Sequence, residues 1–277
     1  MGLRDFLRRA FASGDDDHEH ESTRGDGGIT RADGEAVASS ADGTPPARPN
    51  PAGGPPPPRT ARTPLPRGDD AVRAALRLRL LAVDALPTVE GLPHLRAIAP
   101  GVVEVLTVDL PDRAVVPPTE QVARLGTPAE LVSLGRDHLR ELVGPGLERR
   151  EIRAEDGLRF CFAHGAEHST ASLALVLPEV LAYLEAPADP RRGVAVAVPD
   201  AQHLAYRTIE GLESVMALGP MAAFARNGYD DNAGAISPEV YWARGPRLDQ
   251  WEQLTRQSAE GIEIHVPAAL TALVEED

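Results

Sequence analysis

Five consecutive apolar residues, Val194-Ala195-Val196-Ala197-Val198, stand between Gly193 and Pro199. A run of this length, stopped by a residue without a backbone donor, predicts a central strand covered on both faces. The chain must therefore supply two apolar layers. Hydrophobic residues make up 42% of the sequence and aromatics only 4%, so those layers have to be built from Leu, Val and Ala. Upstream, Leu158, Phe160 and Phe162 alternate with Arg159, Cys161 and Ala163, which predicts a half-buried strand. Ser169 or Thr170 then opens a helical run with a wide apolar face of Leu173, Val176, Leu177, Val180, Leu181 and Leu184. Pro178 inside that run predicts a kink or an early stop.

The flanking segments extend this pattern. Residues 71–86, with Val72, Ala75, Leu76, Leu78, Leu80, Leu81 and Val83, read as a first core helix, and residues 102–110 as a strand that turns at Pro111-Asp112 into a short partner at 114–116. A short helix runs from Thr119 to Leu125 and ends at Gly126. Thr127-Pro128-Ala129-Glu130 joins an N-cap Thr, a Pro at the first helical position and a Glu three residues after the cap. The helix it starts buries Leu131, Leu134, His138 and Leu142 and ends at Gly144-Pro145-Gly146. Residues 148–155 read as an exposed strand, joined through Asp156-Gly157 to the Phe160 strand as an antiparallel neighbour.

Residues 200–206 suggest another strand, and Thr208 opens a helix with Ile209, Leu212, Val215 and Met216 on one face. Gly219-Pro220 should split that helix and Gly228 should cap it. Residues 236–242 read as a strand, 248–257 as a helix on the spacing of Trp251 and Leu254, and 262–266 as a strand; Pro267 begins a last helix. The expected fold is α+β: a mixed, mainly antiparallel sheet packed by Leu/Ala/Val-rich helices, over residues 69–277.

Ahead of that domain lie two different segments. Residues 2–11 put Leu3, Phe6, Leu7, Ala10 and Phe11 on one helical face and Arg4, Arg8 and Arg9 on the other. This short basic amphipathic helix, within 1–12, suits a partner groove, the protein's own domain or peripheral contact with an anionic membrane. Residues 13–68, rich in Gly, Asp, Ser and Pro and including Pro55-Pro56-Pro57-Pro58, have too little apolar surface to offset chain entropy and read as a disordered linker.

Composition narrows the function. A formal charge of −14 over 277 residues opposes nucleic acid, whose affinity comes mainly from cationic side chains. All 28 basic residues are Arg, so a Schiff-base lysine is excluded. One cysteine, Cys161, excludes an intrachain disulfide and any site of several thiolates. No apolar run is long enough for a spanning helix and the N-terminus lacks a secretory pattern, so the expected location is cytoplasmic.

Residues 127–248 resemble the YtpQ-like family of bacterial proteins. The resemblance rests on Leu134-Gly135-Arg136-Asp137-His138-Leu139, the strand around Phe160, Ala171-Ser172-Leu173, Val196-Ala197-Val198-Pro199-Asp200, and Ala235-Ile236-Ser237-Pro238 before Tyr241. It implies a mixed α+β fold and brings no activity with it. The chain departs from the family's pattern at His138, where Asn is more usual, and in its long N-terminal tail.

Three residue groups have chemical potential. Cys161, His164 and His168 have a spacing that a metal ion accepts, with Glu167 beside them, against the plainer reading of a partly buried thiol near two loop histidines. A Cys161 nucleophile would need His138, His164 or His203 within reach as base. Asp200 and His203 follow the central strand, where open sheets often carry functional groups, and Asp230, Asp231 and Asn232 offer oxygens in what reads as a solvated turn. There is no nucleophile elbow, phosphate loop or dinucleotide fingerprint. The sequence therefore favours a non-catalytic interaction module with a protein partner and no cofactor, tethered through its tail and docking with Leu3, Phe6, Leu7, Phe11, Arg4 and Arg8. The alternative is a metal-dependent or cysteine-based enzyme using Cys161, His164 and His168.

Overall fold

The Val-Ala run forms the predicted strand, β7 (Val194–Ala197), third in a six-stranded sheet. The computed structural model describes residues 65–86, 94–110, 113–165, 169–231, 234–258 and 261–276. The expectations for residues 1–12 and for the linker as far as residue 64 lie outside these. At the linker's end, Leu65 already packs on the core, four residues before the expected boundary. The sheet runs β10 (Gln250–Gln253), β9 (Val240–Arg244), β7, β8 (Leu204–Thr208), β6 (Arg159–His164) and β5 (Glu148–Arg153), and every neighbouring pair is antiparallel. Every residue of β7 is fully buried. Because side chains alternate along a strand, Val194, Val196, Cys161, Ala163, Tyr206 and Tyr241 enter one core cluster. Ala195, Ala197, Phe160, Phe162, Ala205 and Trp242 enter a second on the opposite face.

A second sheet covers part of the first cluster. Its strands are β1 (Leu76–Ala82) and β3 (Val102–Leu110), with β2 (Leu95–Ala99) and β4 (Arg113–Val115) on the far edge of β3. The expected core helix over 71–86 is therefore corrected: helix α1 (Asp69–Ala74) stops after six residues and β1 follows. Leu76, Leu78, Leu80 and Ala82 are buried while Arg77, Arg79 and Leu81 are half-buried. That is a period of two, and pairing along β3 selects it over the helical period that the same leucines also satisfy. The hairpin of β3 with β4 and the short helix α2 (Thr119–Leu125) form as predicted.

The capping box forms too. The Thr127 amide donates to Glu130 Oε2 at 2.8 Å and the Glu130 amide donates to Thr127 Oγ1 at 3.3 Å. Helix α3 (Pro128–Glu141) starts there and buries Leu131, Gly135 and Leu139. The buried face is thus rotated by one position from the expected one, leaving Leu134 and His138 half-buried. Pro178 neither kinks nor stops its helix. A 3₁₀ segment covers Thr170–Val176, and α4 (Leu177–Tyr183) carries Pro178 in its first turn, where a missing N–H breaks no helical bond. Ser172 joins this layer to the second sheet by accepting the Leu80 amide at 3.0 Å.

The opposite face is covered by α6 (Leu218–Asp231) and α7 (Ala268–Glu275), with the short α5 (Leu212–Met216) ahead of them. Thr208 ends β8 and opens no helix; the split between α5 and α6 falls at Ala217, ahead of Gly219-Pro220. Gly228 does not cap α6 but lies inside it, buried where a Cβ would come within 2.7 Å of Pro199 Cβ. The helix expected over 248–257 is also corrected. Trp251 packs against the first cluster and Leu254 belongs to the second, so the segment serves both faces as β10 and β11 (Thr255–Ser258), and β11 forms a hairpin with β12 (Gly261–Ile264). Among the described residues, no helix is long and apolar enough to cross a membrane.

A carboxylate sits inside the second sheet. Glu104 on β3 is fully buried and receives His94 Nε2 at 2.8 Å, Arg136 Nη2 of α3 at 2.8 Å and Arg96 Nη2 of β2 at 3.1 Å. Burial by itself would raise the Glu104 carboxyl, but the His94 hydrogen bond and the Arg136 and Arg96 guanidiniums outweigh it and hold the group at about 2.

Two outcomes are expected. With its folded value below the ordinary 4.5, the Glu104 carboxylate contributes stability fully above that value and loses it as pH falls toward 2. The loss is about 3 kcal/mol, and urea midpoints between pH 5 and pH 2 should fall more steeply in the wild type than in Glu104→Gln. Gly228→Ala should cost ~1–3 kcal/mol by forcing α6 off Pro199, read as a lowered thermal midpoint.

Candidate functional site

Register decides what stands beside the thiol. Cys161 on β6 is paired with Tyr206 on β8, and Arg149 on β5 is paired with Ala163, so Arg149, Cys161 and Tyr206 project to the same face. Arg149 Nε donates to Cys161 Sγ at 3.3 Å and its Nη1 donates to the Leu184 carbonyl at 3.4 Å. The thiol bond raises the Arg149 guanidinium above its ordinary value. Tyr206 is 2% exposed, and its hydroxyl is shut off from solvent beside the Cys161 thiol. Burial pushes the phenol well up and the neighbouring thiol adds to this, while Arg149 offsets part of it. These three residues line a cleft of about 320 Å³, with Glu185, Ala186, Pro187 and Glu210 among its other walls.

Glu185 holds a left-handed backbone, φ 55°. It closes α4 in a Schellman motif: the Ala186 amide reaches the Leu181 carbonyl at 2.8 Å and the Glu185 amide reaches Ala182 at 3.3 Å. Glycine is the residue that position ordinarily selects.

The predicted metal and nucleophile groups are not assembled. His164 is three residues from Cys161 on the same strand and points to the other face. There its ring lies 5.6 Å from that of Phe162, with Arg150 Nε at 3.0 Å and Glu148 Oε2 at 3.3 Å from Nε2. Burial and the Arg150 charge lower the His164 imidazole. His168 and Glu167 lie outside the described residues. Among those described, no group of three or more potential ligands is positioned for a metal ion. None of the proposed bases reaches the thiol. His138 Nδ1 is bound to the Leu76 carbonyl at 2.7 Å, and His203 Nδ1 is bound to Asp200 at 2.8 Å. Asp200 is buried and also accepts the Gln202 amide at 2.7 Å. The dyad fixes the His203 ring near Phe162 and Phe224, at 6.0 and 6.2 Å, and staples the turn after the central strand. Asp230 and Asp231 end α6, with Asp230 paired to Arg226 at 2.7 Å.

A different feature lies over the second cluster. An apolar groove of about 470 Å³ is lined by Leu212, Val215, Val266, Thr271, Val274 and Glu275. Leu212 is 64% exposed, and Met216, one turn later on α5, is 56% exposed. Glu213 and Glu276 are exposed close by in sequence. The sequence pattern placed Leu212 and Met216 on a buried face, and α5 is too short to carry that face onto the sheet. Arg149 and Tyr206 carried no signal of their own, since only the register unites them with Cys161. The docking residues Leu3, Arg4, Phe6, Leu7, Arg8 and Phe11 lie outside the described residues.

No family model, curated protein or solved structure matches the chain. The left-handed Glu185 gives a direct check. Glu185→Gly should raise the urea midpoint by the equivalent of about 1 kcal/mol, opposite in sign to an ordinary substitution of Gly into a helix end.

Proposed function

We propose that this chain is a non-catalytic protein-interaction module of the bacterial cytosol whose apolar groove receives the basic amphipathic segment 2–11 of the same chain, and that a partner helix of like chemistry competes for it. The observation that carries the reading is the pair Leu212 and Met216, more than half exposed beside a groove with Glu275 in its wall. Large apolar side chains gathered over an open groove mark an interaction surface. A helix with Leu3, Phe6, Leu7 and Phe11 on one side and Arg4, Arg8 and Arg9 on the other offers the matching apolar stripe and the opposite charge. Kinship with the YtpQ-like family belongs to the same proposal and rests on the segments quoted above.

Tether length supports docking within one chain. Treated as flexible, the stretch 12–64 spans about 40 Å root mean square, comparable to the width of a domain of roughly 200 residues, and it sets an effective concentration near the millimolar range. A micromolar groove would then be filled by its own tail until a competitor displaces it.

A fluorescent peptide of residues 1–12 tests this by anisotropy against the full chain and a full-length Phe6→Glu/Leu7→Glu variant. The variant should bind the peptide with micromolar affinity and the wild type about a thousandfold more weakly, because its own tail competes at a millimolar effective concentration. Adding Leu212→Glu, an exposed position, should abolish binding at an unchanged melting temperature. Absence of binding to the tail variant, or equal binding by both chains, would overturn the proposal.

A further inference from the structure

The hairpin of β11 and β12 has an open edge. The His265 amide donates to the Leu254 carbonyl at 2.7 Å, so residues 261, 263 and 265 turn their backbone groups towards β11. Backbone direction alternates along a strand, and the N–H and C=O groups of Ile262 and Ile264 therefore point away from the hairpin. Among the described residues no strand pairs with that edge. The two side chains are 38% and 44% exposed, with Ile264 packed over Gly219 at the start of α6. An apolar strand with a free edge is a template for another strand. The edge strand β5 of the large sheet is protected by five exposed charged residues, whereas β12 has a regular register and no Arg or Pro.

The pattern of β12 identifies the strand that fits it. Glu263 and His265 lie on the face opposite the isoleucines, both more than half exposed, with Oε2 and Nε2 3.4 Å apart. Two copies related by a two-fold axis normal to the sheet pair residues of the same face, so an axis at the strand's centre passes through residue 263 or 264. At 263 two carboxylates would face each other. At 264, Ile264 faces itself, Ile262 faces Val266, and Glu263 of each chain faces His265 of the other. This last is the closely spaced kind of pair, in which side chains approach most. We infer that β12 pairs antiparallel with β12 of a second copy in this register, joining two hairpins into a four-stranded sheet. The assembly closes at two, because the far edge of β11 is occupied: the Gln257 amide donates to Glu239 Oε1 at 2.9 Å.

So short a strand falls below the roughly 1,200 Å² of a stable interface, and the dimer is accordingly weak, with a dissociation constant on the order of 50 μM. Sedimentation equilibrium of the full chain in about 0.15 M salt, which screens its net charge, should show mainly dimer at ~200 μM. Ile264→Lys, at an exposed position, should give a monomer with an unchanged melting temperature. His265→Glu should weaken the dimer about tenfold by setting carboxylate opposite carboxylate at both pairs, and Glu263→Arg/His265→Glu should restore it. The tail variant Phe6→Glu/Leu7→Glu should leave it intact. A monomer at every concentration, a dimer that survives Ile264→Lys, or a double variant no tighter than His265→Glu would overturn the proposal. So would loss of the dimer in the tail variant, which would assign self-association to exchange of tails between grooves.

Discussion

The fold depends on one strand being buried on both faces and hydrogen-bonded along both edges. β7 has no side chain at the surface, so each of its residues has to be matched by what approaches it. Val194 and Val196 meet the layer of 3₁₀ segment and helix, while Ala195 and Ala197, with Ala205 beside them, present a flat surface to α6. That helix answers with Met221, Ala222, Ala225 and Gly228. Small residues on both sides let backbone approach backbone, which explains why Gly228 stands where a Cβ would strike Pro199. The entry to β7 obeys the same constraint. Gly193 has φ 74°, and a Cβ there would fall 2.4 Å from the Ala243 carbonyl oxygen; Trp242 Nε1 closes over this turn by donating to Arg192 O at 2.7 Å.

Joining the second sheet to this centre requires polar contacts as well as apolar ones. Tyr241 projects from β9 and donates to Pro100 O at 3.1 Å, between β2 and β3, while Ser237 Oγ lies 2.7 Å from its hydroxyl. Burial pushes that hydroxyl up to about 12 despite the Ser237 bond. Glu104 does the corresponding work inside the second sheet by gathering groups from α3, β2 and the segment before β2. A buried carboxylate with three cationic or imidazole partners is no cheaper than a leucine would be. Its effect is directional: each partner accepts only one arrangement of the elements it comes from, whereas apolar packing would tolerate several.

The legible parts of the sequence were those in which one local rule had no competitor. Thr127 to Glu130 is a capping box whatever surrounds it, Asp156-Gly157 makes a hairpin turn, and the Val-Ala run is too short for a helix and too apolar for a surface strand. Errors arose where two periods fitted the same residues. Leu76, Leu78 and Leu80 alternate with a period of two while Leu76, Leu80 and Val83 stand at helical spacing, and only pairing with β3 decides between the two. Trp251 and Leu254 are spaced like a helical face yet belong to opposite cores. Pro178 showed that a helix breaker inside an apolar run can equally mark a helix start. Of the candidate sites, Cys161 was visible as a residue but its surroundings were not, because Arg149 and Tyr206 reach it only through the register of three strands.

That register also bears on chemistry. Along β6 the side chains alternate, so Cys161 belongs with Arg149 and Tyr206 while Phe162 and His164 belong with His203 and Phe224. A thiol and an imidazole three residues apart on a strand are divided by the sheet itself, and no side-chain rotation brings them to one point. Rejoining them would need a bulge of one residue between them, which would also slip Phe162 out of the second core. The burial of Phe160 and Phe162, which the central sheet needs, is thus the same fact that keeps the reactive groups apart. What is left at each face is a depression without an assembled reactive group: a cleft beside Arg149 and Cys161 on one side, and an apolar groove with Glu275 in its wall on the other.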